Sequence, residues 1–238
     1  MELYLSTMDV KQFDVTTRKS VDQLLASVPF YKMVKQNDPW QFEVLLTHSR
    51  IVDFEPGEVV LRSGEYDNWH YFLLKGQLAV FVGDETREAA PVNYITPGEV
   101  FGDVAMLLGN RQRTATLVAD ANCRKVVAFG TDFTVFGEVD DFRTITLPTK
   151  LAFYRNTVHN LRWKLDVYRM KYPHSELAGL HHKVKLYVGP KDTLEELVSL
   201  NAQAGDLAKL LVQWNANFGV LSLNDGGAIK PELVAGVE

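Results

Sequence analysis

From Ile51 to Phe136 the chain is cut into short runs of alternating β-branched and aromatic residues, IVDFEPGEVVLRSG, HYFLLKGQLAVFVGD, NYITPGEVFGD and RTATLVADANCRKVVAF. Turn residues punctuate the runs, Pro56-Gly57, Gly64, Gly76 and Pro97-Gly98 among them. Many short strands at this spacing predict an antiparallel β jelly-roll or barrel.

Helical signals flank the strands. Ser20-Val-Asp-Gln23 reads as a capping box opening one helix, and Asp38-Pro-Trp-Gln41 opens another that runs through Leu46. After Pro148 the period changes: Leu151, Tyr154, Val158, Leu161, Leu165, Tyr168 and Tyr172 alternate at spacings of three and four, a heptad seam. Pro173 ends it. Thr193-Leu-Glu-Glu196 caps a second helix, in which Leu197, Leu200, Ala204, Leu207, Leu211, Trp214 and Phe218 repeat the spacing, with Gly205 as a point of weakness and a frayed tail expected from Gly219 onward.

The expected fold class is therefore α+β, a jelly-roll barrel with flanking helices, then a long helix and a small helical C-terminal region. The boundaries are an N-terminal segment 1–19, a domain 20–147, a helix 148–172 and a C-terminal region 173–238.

Net charge is −5, unevenly spread. Residues 150–191 hold nine Lys and Arg against two Asp and Glu, whereas residues 1–149 hold 14 against 21 and residues 192–238 two against seven. The basic block reads as the solvated outside of a coiled coil, or as a surface for an acidic partner or for the acidic barrel. Cys123 is the one cysteine, which excludes an internal disulfide and a Cys-rich zinc site. No apolar run reaches the ~20 residues of a membrane span and the start MELYLSTMDVKQFD is not a signal peptide, so a cytoplasmic location is expected.

The stretch FGDVAMLLGNRQRTAT, residues 101–116, carries the chemistry. Gly102 lets backbone come close to a ligand, and Val104, Ala105, Met106 and Leu107 offer the unpaired amides of a helix start, where the dipole favours an anion. Arg113 returns on the next strand with a planar, permanently charged fork for phosphate oxygens. Asp103 beside them is an acceptor, which suits a sugar hydroxyl. The combination describes a nucleotide.

On these residues the chain resembles the cyclic nucleotide-binding domain of catabolite activators, kinase regulatory subunits and cyclic-nucleotide-gated channels, across residues 20–172. The resemblance rests on Phe54, Pro56-Gly57, Gly64, Tyr71-Phe-Leu-Leu-Lys-Gly76, Pro97-Gly98, Phe101-Gly-Asp-Val-Ala and Arg113-Thr-Ala-Thr. It implies cAMP or cGMP as ligand and no further cofactor. It implies a phosphate-binding cassette at Gly102, Asp103, Val104, Ala105 and Arg113, base-facing walls at Val80, Val92 and Asn93, and a base preference touched by Thr114, a residue type that favours guanine in the channel branch. Asp103 stands where the family usually has a glutamate that bonds the ribose 2′-hydroxyl.

The resemblance also places a dimer helix after the barrel, so residues 151–172 are expected to form a parallel homodimer, with Arg162, Trp163 or Lys164 capping the base; the other reading of the seam is intramolecular core, and the second seam from Leu197 can equally pack back on the first. The output expected is a helical module that engages an unidentified protein partner. The alternative is a catabolite-activator-like DNA-binding regulator, which Thr193 to Trp214 matches poorly for want of a basic recognition helix. No metal site is expected, because His181 and His182 are adjacent and diverge on a helix while His48, His70, His159 and His174 are scattered. No nucleophile-base or paired-carboxylate spacing points to catalysis.

Overall fold

A computed structural model of the chain describes residues 9–11, 21–82 and 91–225. The Ser20 cap lies outside these residues, and a helical turn follows it at 21–25. Two helices come next, α1 (Pro29–Asn37) and α2 (Pro39–Thr47). The sequence reading missed α1. Its start at α2 holds: the Asp38 carboxylate accepts from the Gln41 amide at 3.1 Å, and Pro39 sits where an amide would have no partner.

The strands are β1 (Asp9–Lys11), β2 (Ser49–Phe54), β3 (Val59–Leu61), β4 (Trp69–Lys75), β5 (Leu78–Phe81), β6 (Asn93–Ile95), β7 (Val100–Phe101), β8 (Thr116–Ala119) and β9 (Val126–Asp132). They form two sheets, β1-β2-β9-β4-β7 and β3-β8-β5-β6, and every pairing is antiparallel. Apolar residues of both sheets, among them Val52, Tyr71, Leu73, Leu78, Val80, Leu117 and Ala119, join one core. This is the expected jelly-roll. A short helix, α3 (Val104–Leu107), interrupts it between β7 and β8.

Strand β4 reads as an unbroken apolar run because both of its faces are covered. Its Phe72 lies within 6.1 Å of Phe30 and 5.2 Å of Tyr31, both from α1, between ring centres. Two residues earlier on the same face, His70 is fully buried among Phe72, Phe133, Phe136 and Phe153. Phe153 belongs to α4 (Leu147–Lys171), so the long helix is anchored on the barrel through its first turns.

The heptad seam of α4 does not face outward. Leu151, Tyr154, Val158, Leu161, Leu165 and Tyr168 are all buried, as are Leu197, Leu200, Ala204, Leu207, Leu211 and Trp214 of α5 (Leu194–Asp225). Each large apolar side chain so covered contributes roughly 1.5–3 kcal/mol. The two helices pack together and run parallel. Arg155 forks onto Glu196 at 2.6 and 2.9 Å, Arg162 reaches Gln203 one heptad further along both helices, and Tyr168 bonds Asn215.

The residues between them retrace α4 in the opposite direction, with a 3₁₀ turn at Leu180–Lys183. Along that path Asp166 meets His181, Arg162 bonds the carbonyls of His181 and Val184, and Arg155 meets Asp192. Within one chain, the parallel helix that covers the seam of residues 151–172 is α5 rather than a second copy of α4.

Three smaller expectations change as well. Gly205 neither ends nor splits α5, which continues past Gly219 to Asp225. The basic block is not wholly a solvated exterior, since Lys150 and Lys164 are buried and donate to main-chain carbonyls, of Glu138 and Val100. The capping box at Thr193 is half made: Thr193 Oγ1 accepts from the Glu196 amide, but the Glu196 carboxylate takes the amide of Asp192.

Candidate nucleotide site

The cassette is built around Gly102. Its φ of +80° is open to glycine alone at low cost, and a Cβ there would lie 2.9 Å from Arg113 Nη1 and 3.0 Å from the Trp69 carbonyl. That close approach lets Arg113 fold into the barrel. Its guanidinium donates to the carbonyl of Gly102, to the carbonyl of Trp69 at 2.6 Å and to Asp67 Oδ2 at 2.8 Å, while its Nε has no partner. Only 4% of Arg113 is exposed.

Asp103 is 1% exposed, and neither carboxylate oxygen has a hydrogen-bond partner. A buried carboxylate without a donor is costly, and no side chain or amide among the described residues supplies one. Next to it, Val104 and Ala105 open α3, where first-turn amides have no acceptor four residues back. The Met106 and Leu107 amides, expected to be free, both bond the Asp103 carbonyl at 3.1 Å, so the start of α3 at Val104 and Ala105, the Arg113 fork and the Asp103 carboxylate are the groups brought together.

They line a cavity of about 80 Å³. The barrel contributes Leu61, Val80, Asn93, Ile95, Phe101, Thr114, Ala115 and Leu117; α4 contributes Lys164 and Tyr168, and α5 contributes Leu211 and Asn215. Tyr168 is the keystone of the rim: its hydroxyl donates to Asn215 Oδ1 at 2.9 Å and bonds Asn93 on β6. Burial pushes the Tyr168 phenol far above the usual tyrosine range, so it stays a neutral donor. Gly205 brings α5 against α3, where a Cβ would sit 3.7 Å from the Leu107 carbonyl.

The structure thus gathers Gly102, Asp103, Val104, Ala105, Arg113, Thr114, Val80 and Asn93 around one cavity, and leaves Val92 buried in the core beside it. Of the expected base caps only Lys164 reaches the cavity. Trp163 is 57% exposed, and Arg162 points the other way, to the carbonyls of His181 and Val184. Helix geometry explains this, since consecutive residues lie ~100° apart around an α-helix and cannot share a face. Sequence reasoning missed Asp67, Tyr168, Leu211 and Asn215 as site residues. Tyr168 and Leu211 were legible only as seam residues, and the turn that places Asp67 carries no signal of its own.

The adjacent histidines do not diverge as expected. In the 3₁₀ turn their ring centres lie 4.0 Å apart, and both Nε2 atoms approach Asp166 Oδ1, at 3.1 Å from His181 and 3.7 Å from His182.

Residues 51–138 match the cyclic nucleotide-binding domain family. Over 101 residues the chain is 33% identical to potassium/sodium hyperpolarization-activated cyclic nucleotide-gated channel 3 of Homo sapiens, covering 42% of this chain and 12% of the channel. Over 81 residues it is 28% identical to the cAMP-activated global transcriptional regulator CRP of Pasteurella multocida (strain Pm70), covering 34% of this chain and 39% of that protein. The chain therefore spans well under half the length of these curated relatives. Among solved structures, the sensor domain of the transcriptional regulator DNR from Pseudomonas aeruginosa aligns at 19% identity and a TM-score of 0.47, over 64% of this chain and 93% of that one. The regulatory domain of Toxoplasma gondii PKA with cAMP aligns at 19% identity and a TM-score of 0.44, over 60% and 50%. Residues 51–138, which supply Val80, Asn93, Gly102, Asp103, Val104, Ala105 and Arg113 to the cavity, are the part of the chain that matches the cyclic nucleotide-binding domain family.

Proposed function

We propose that this protein is a cyclic-nucleotide sensor, for cAMP in preference to cGMP, whose ligand competes with the seating of α5 on the cassette. The observation that carries the reading is Asp103, a buried carboxylate with no partner, set between first-turn amides and the Arg113 fork. A cyclic nucleotide supplies what this group of residues lacks, a ribose hydroxyl for Asp103 and a phosphate for the amides and Arg113. Binding alone satisfies the site, and no group in it is placed for bond-making chemistry.

Ligand pockets generally enclose ~300–1,000 Å³, whereas this cavity holds about 80 Å³. Lys164, Tyr168, Leu211 and Asn215 take up the difference on the helical side. A nucleotide therefore binds an arrangement in which α4 and α5 have moved off the cassette, and its binding energy shifts the population toward that arrangement. The displaced helix pair is the output, offered to a protein partner in the cytoplasm. DNA reading has less support: after Tyr172 the described residues form a 3₁₀ turn and one long helix, with no helix-turn-helix pair among them.

Calorimetric titration with cAMP and with cGMP tests the proposal. Micromolar or tighter binding, with cAMP the stronger, is expected. Absence of heat and of a thermal shift with both nucleotides would end it.

A further inference from the structure

We infer that Asp166, His181 and His182 form a binding site for a divalent transition-metal ion of the zinc class, which clasps the chain returning from α4 back onto that helix. Nothing in the nucleotide site uses these side chains. Their donor atoms lie within 4.8 Å of one another, with Asp166 Oδ1 3.1 Å from His181 Nε2 and 3.7 Å from His182 Nε2. Zinc bonds of about 2.0–2.1 Å in tetrahedral array set neighbouring ligand atoms roughly 3.3–3.4 Å apart. The two Asp166–histidine distances bracket that value, and the remaining pair of donor atoms lies within 4.8 Å, a separation that side-chain rotation can close.

The donor set fixes the class of ion. Two imidazoles and one carboxylate suit zinc, cobalt, nickel or copper, whereas calcium and magnesium demand oxygen ligands. Three protein donors leave a fourth position for water, on the side where His182 is more than half exposed. His181 is held from behind: it is 1% exposed, and its carbonyl accepts from Arg162 Nη1 at 2.9 Å. Its Nδ1 is buried with no partner, so Nε2, which faces Asp166, is the ring atom placed to meet an ion.

One group opposes the ion. Arg169 Nε donates to the same Asp166 oxygen at 3.0 Å and adds a positive charge beside the site. Metal binding must displace that contact, so affinity is micromolar rather than the far tighter value of a dedicated structural zinc site. The ion would join α4 to the 3₁₀ turn midway along the return path, and so support the parallel pairing of α4 with α5. The inference stands apart from the nucleotide reading, and its test contains no nucleotide.

The test uses the full chain without a histidine tag, near neutral pH, in a buffer that does not chelate metals. Zn²⁺ is titrated by calorimetry, and Co²⁺ serves as the spectroscopic probe of a low-symmetry nitrogen and oxygen site. One ion per chain, with a visible Co²⁺ absorption band, is expected. Loss of even an outer partner of a metal site typically costs ~10–100-fold in affinity, so His182→Ala and Asp166→Asn should each weaken Zn²⁺ at least about tenfold. Arg169→Ala should tighten it several-fold. These variants spare the buried His181, and circular dichroism checks that each remains folded. The inference is overturned if the parent gives neither heat nor a Co²⁺ band at about 100 µM metal, or if the double variant Asp166→Asn/His182→Ala binds as the parent does.

Discussion

The Tyr168 hydroxyl donates to Asn215 Oδ1 at 2.9 Å, and that bond joins α4 to α5 at the rim of the cavity holding Asp103 and Arg113. If a nucleotide competes with α5 for this cavity as proposed, loosening this bond should favour ligand. A buried neutral hydrogen bond contributes ~1 kcal/mol, which corresponds to roughly fivefold in affinity. Tyr168→Phe is therefore expected to bind cAMP a few-fold more tightly while its thermal midpoint falls. If calorimetry shows weaker binding instead, α5 is a wall of the ligand site rather than its competitor.

Arg113→Ala removes the donor shared by Asp67 and the carbonyls of Gly102 and Trp69, so it should harm both the fold and the site. Leaving buried acceptors unpaired costs ~1–3 kcal/mol, to be read from chemical denaturation. Cyclic-nucleotide affinity should drop by roughly 30-fold to several thousandfold, the usual result of truncating one member of a buried charge pair. Arg113→Lys should rescue little, because an ammonium lacks the planar fork.

Asp103 predicts a trade. With neither oxygen partnered, Asp103→Asn should raise the stability of the isolated protein by ~1–3 kcal/mol, since it removes an uncompensated buried charge. The same change should weaken nucleotide binding and reduce discrimination against a 2′-deoxy analogue. Paired denaturation and titration curves test both signs, and a variant that is less stable yet binds better would contradict the assignment. Asp103→Glu, longer by about 1.5 Å, is expected to tighten binding by bringing the carboxylate to the ribose.

Leu161→Glu places a carboxylate in a position of zero exposure between α4 and α5. The expected cost is at least ~3 kcal/mol, with loss of helical signal in circular dichroism. Light scattering should give the same mass for parent and variant, because the seam is satisfied within one chain. A parent of twice the mass that falls to half on substitution would restore the homodimer.

His70 sets an acid limit. Burial, and secondarily the charge of Arg113, push its imidazole down from the usual 6.5 to about 3, so the folded protein holds it neutral. The unfolded chain takes up a proton below about pH 6.5 while the folded one does not. Stability is therefore full above pH 6.5 and falls as pH drops toward 3, by up to ~1.4 kcal/mol per unit. His70→Leu should flatten that limb in denaturation curves recorded between pH 7 and 5. An unchanged slope would mean that other groups control it.

The strands and the cassette were legible in the sequence because their causes are local. Positive φ at Gly76, Gly98 and Gly102 is a steric property of a few neighbouring atoms. The period-two runs that those glycines punctuate need only a face to bury. Asp38 likewise announced α2, since its carboxylate caps an amide three residues ahead. Asp103 and Arg113 could be expected on one cavity because a short turn and a return strand fix their separation.

The partner of the heptad seam was not legible, because periodicity records the width of an apolar stripe and not the chain that covers it. Leu161 and Leu165 look the same in sequence whether a second protomer or α5 lies against them. What decided the matter is the path after Tyr172, which folds back along α4 so that α5 can start beside Arg155 and run parallel to it. That path rests on contacts far apart in sequence, Arg162 to the His181 and Val184 carbonyls and Asp166 to His181. The sequence by itself therefore determined the barrel, its glycine turns and the two apolar helical seams. Only the tertiary structure decided that α5 covers α4 and that Tyr168, Leu211 and Asn215 line the cavity beside Asp103 and Arg113, because burial of a stripe depends on which surface long-range packing brings to it.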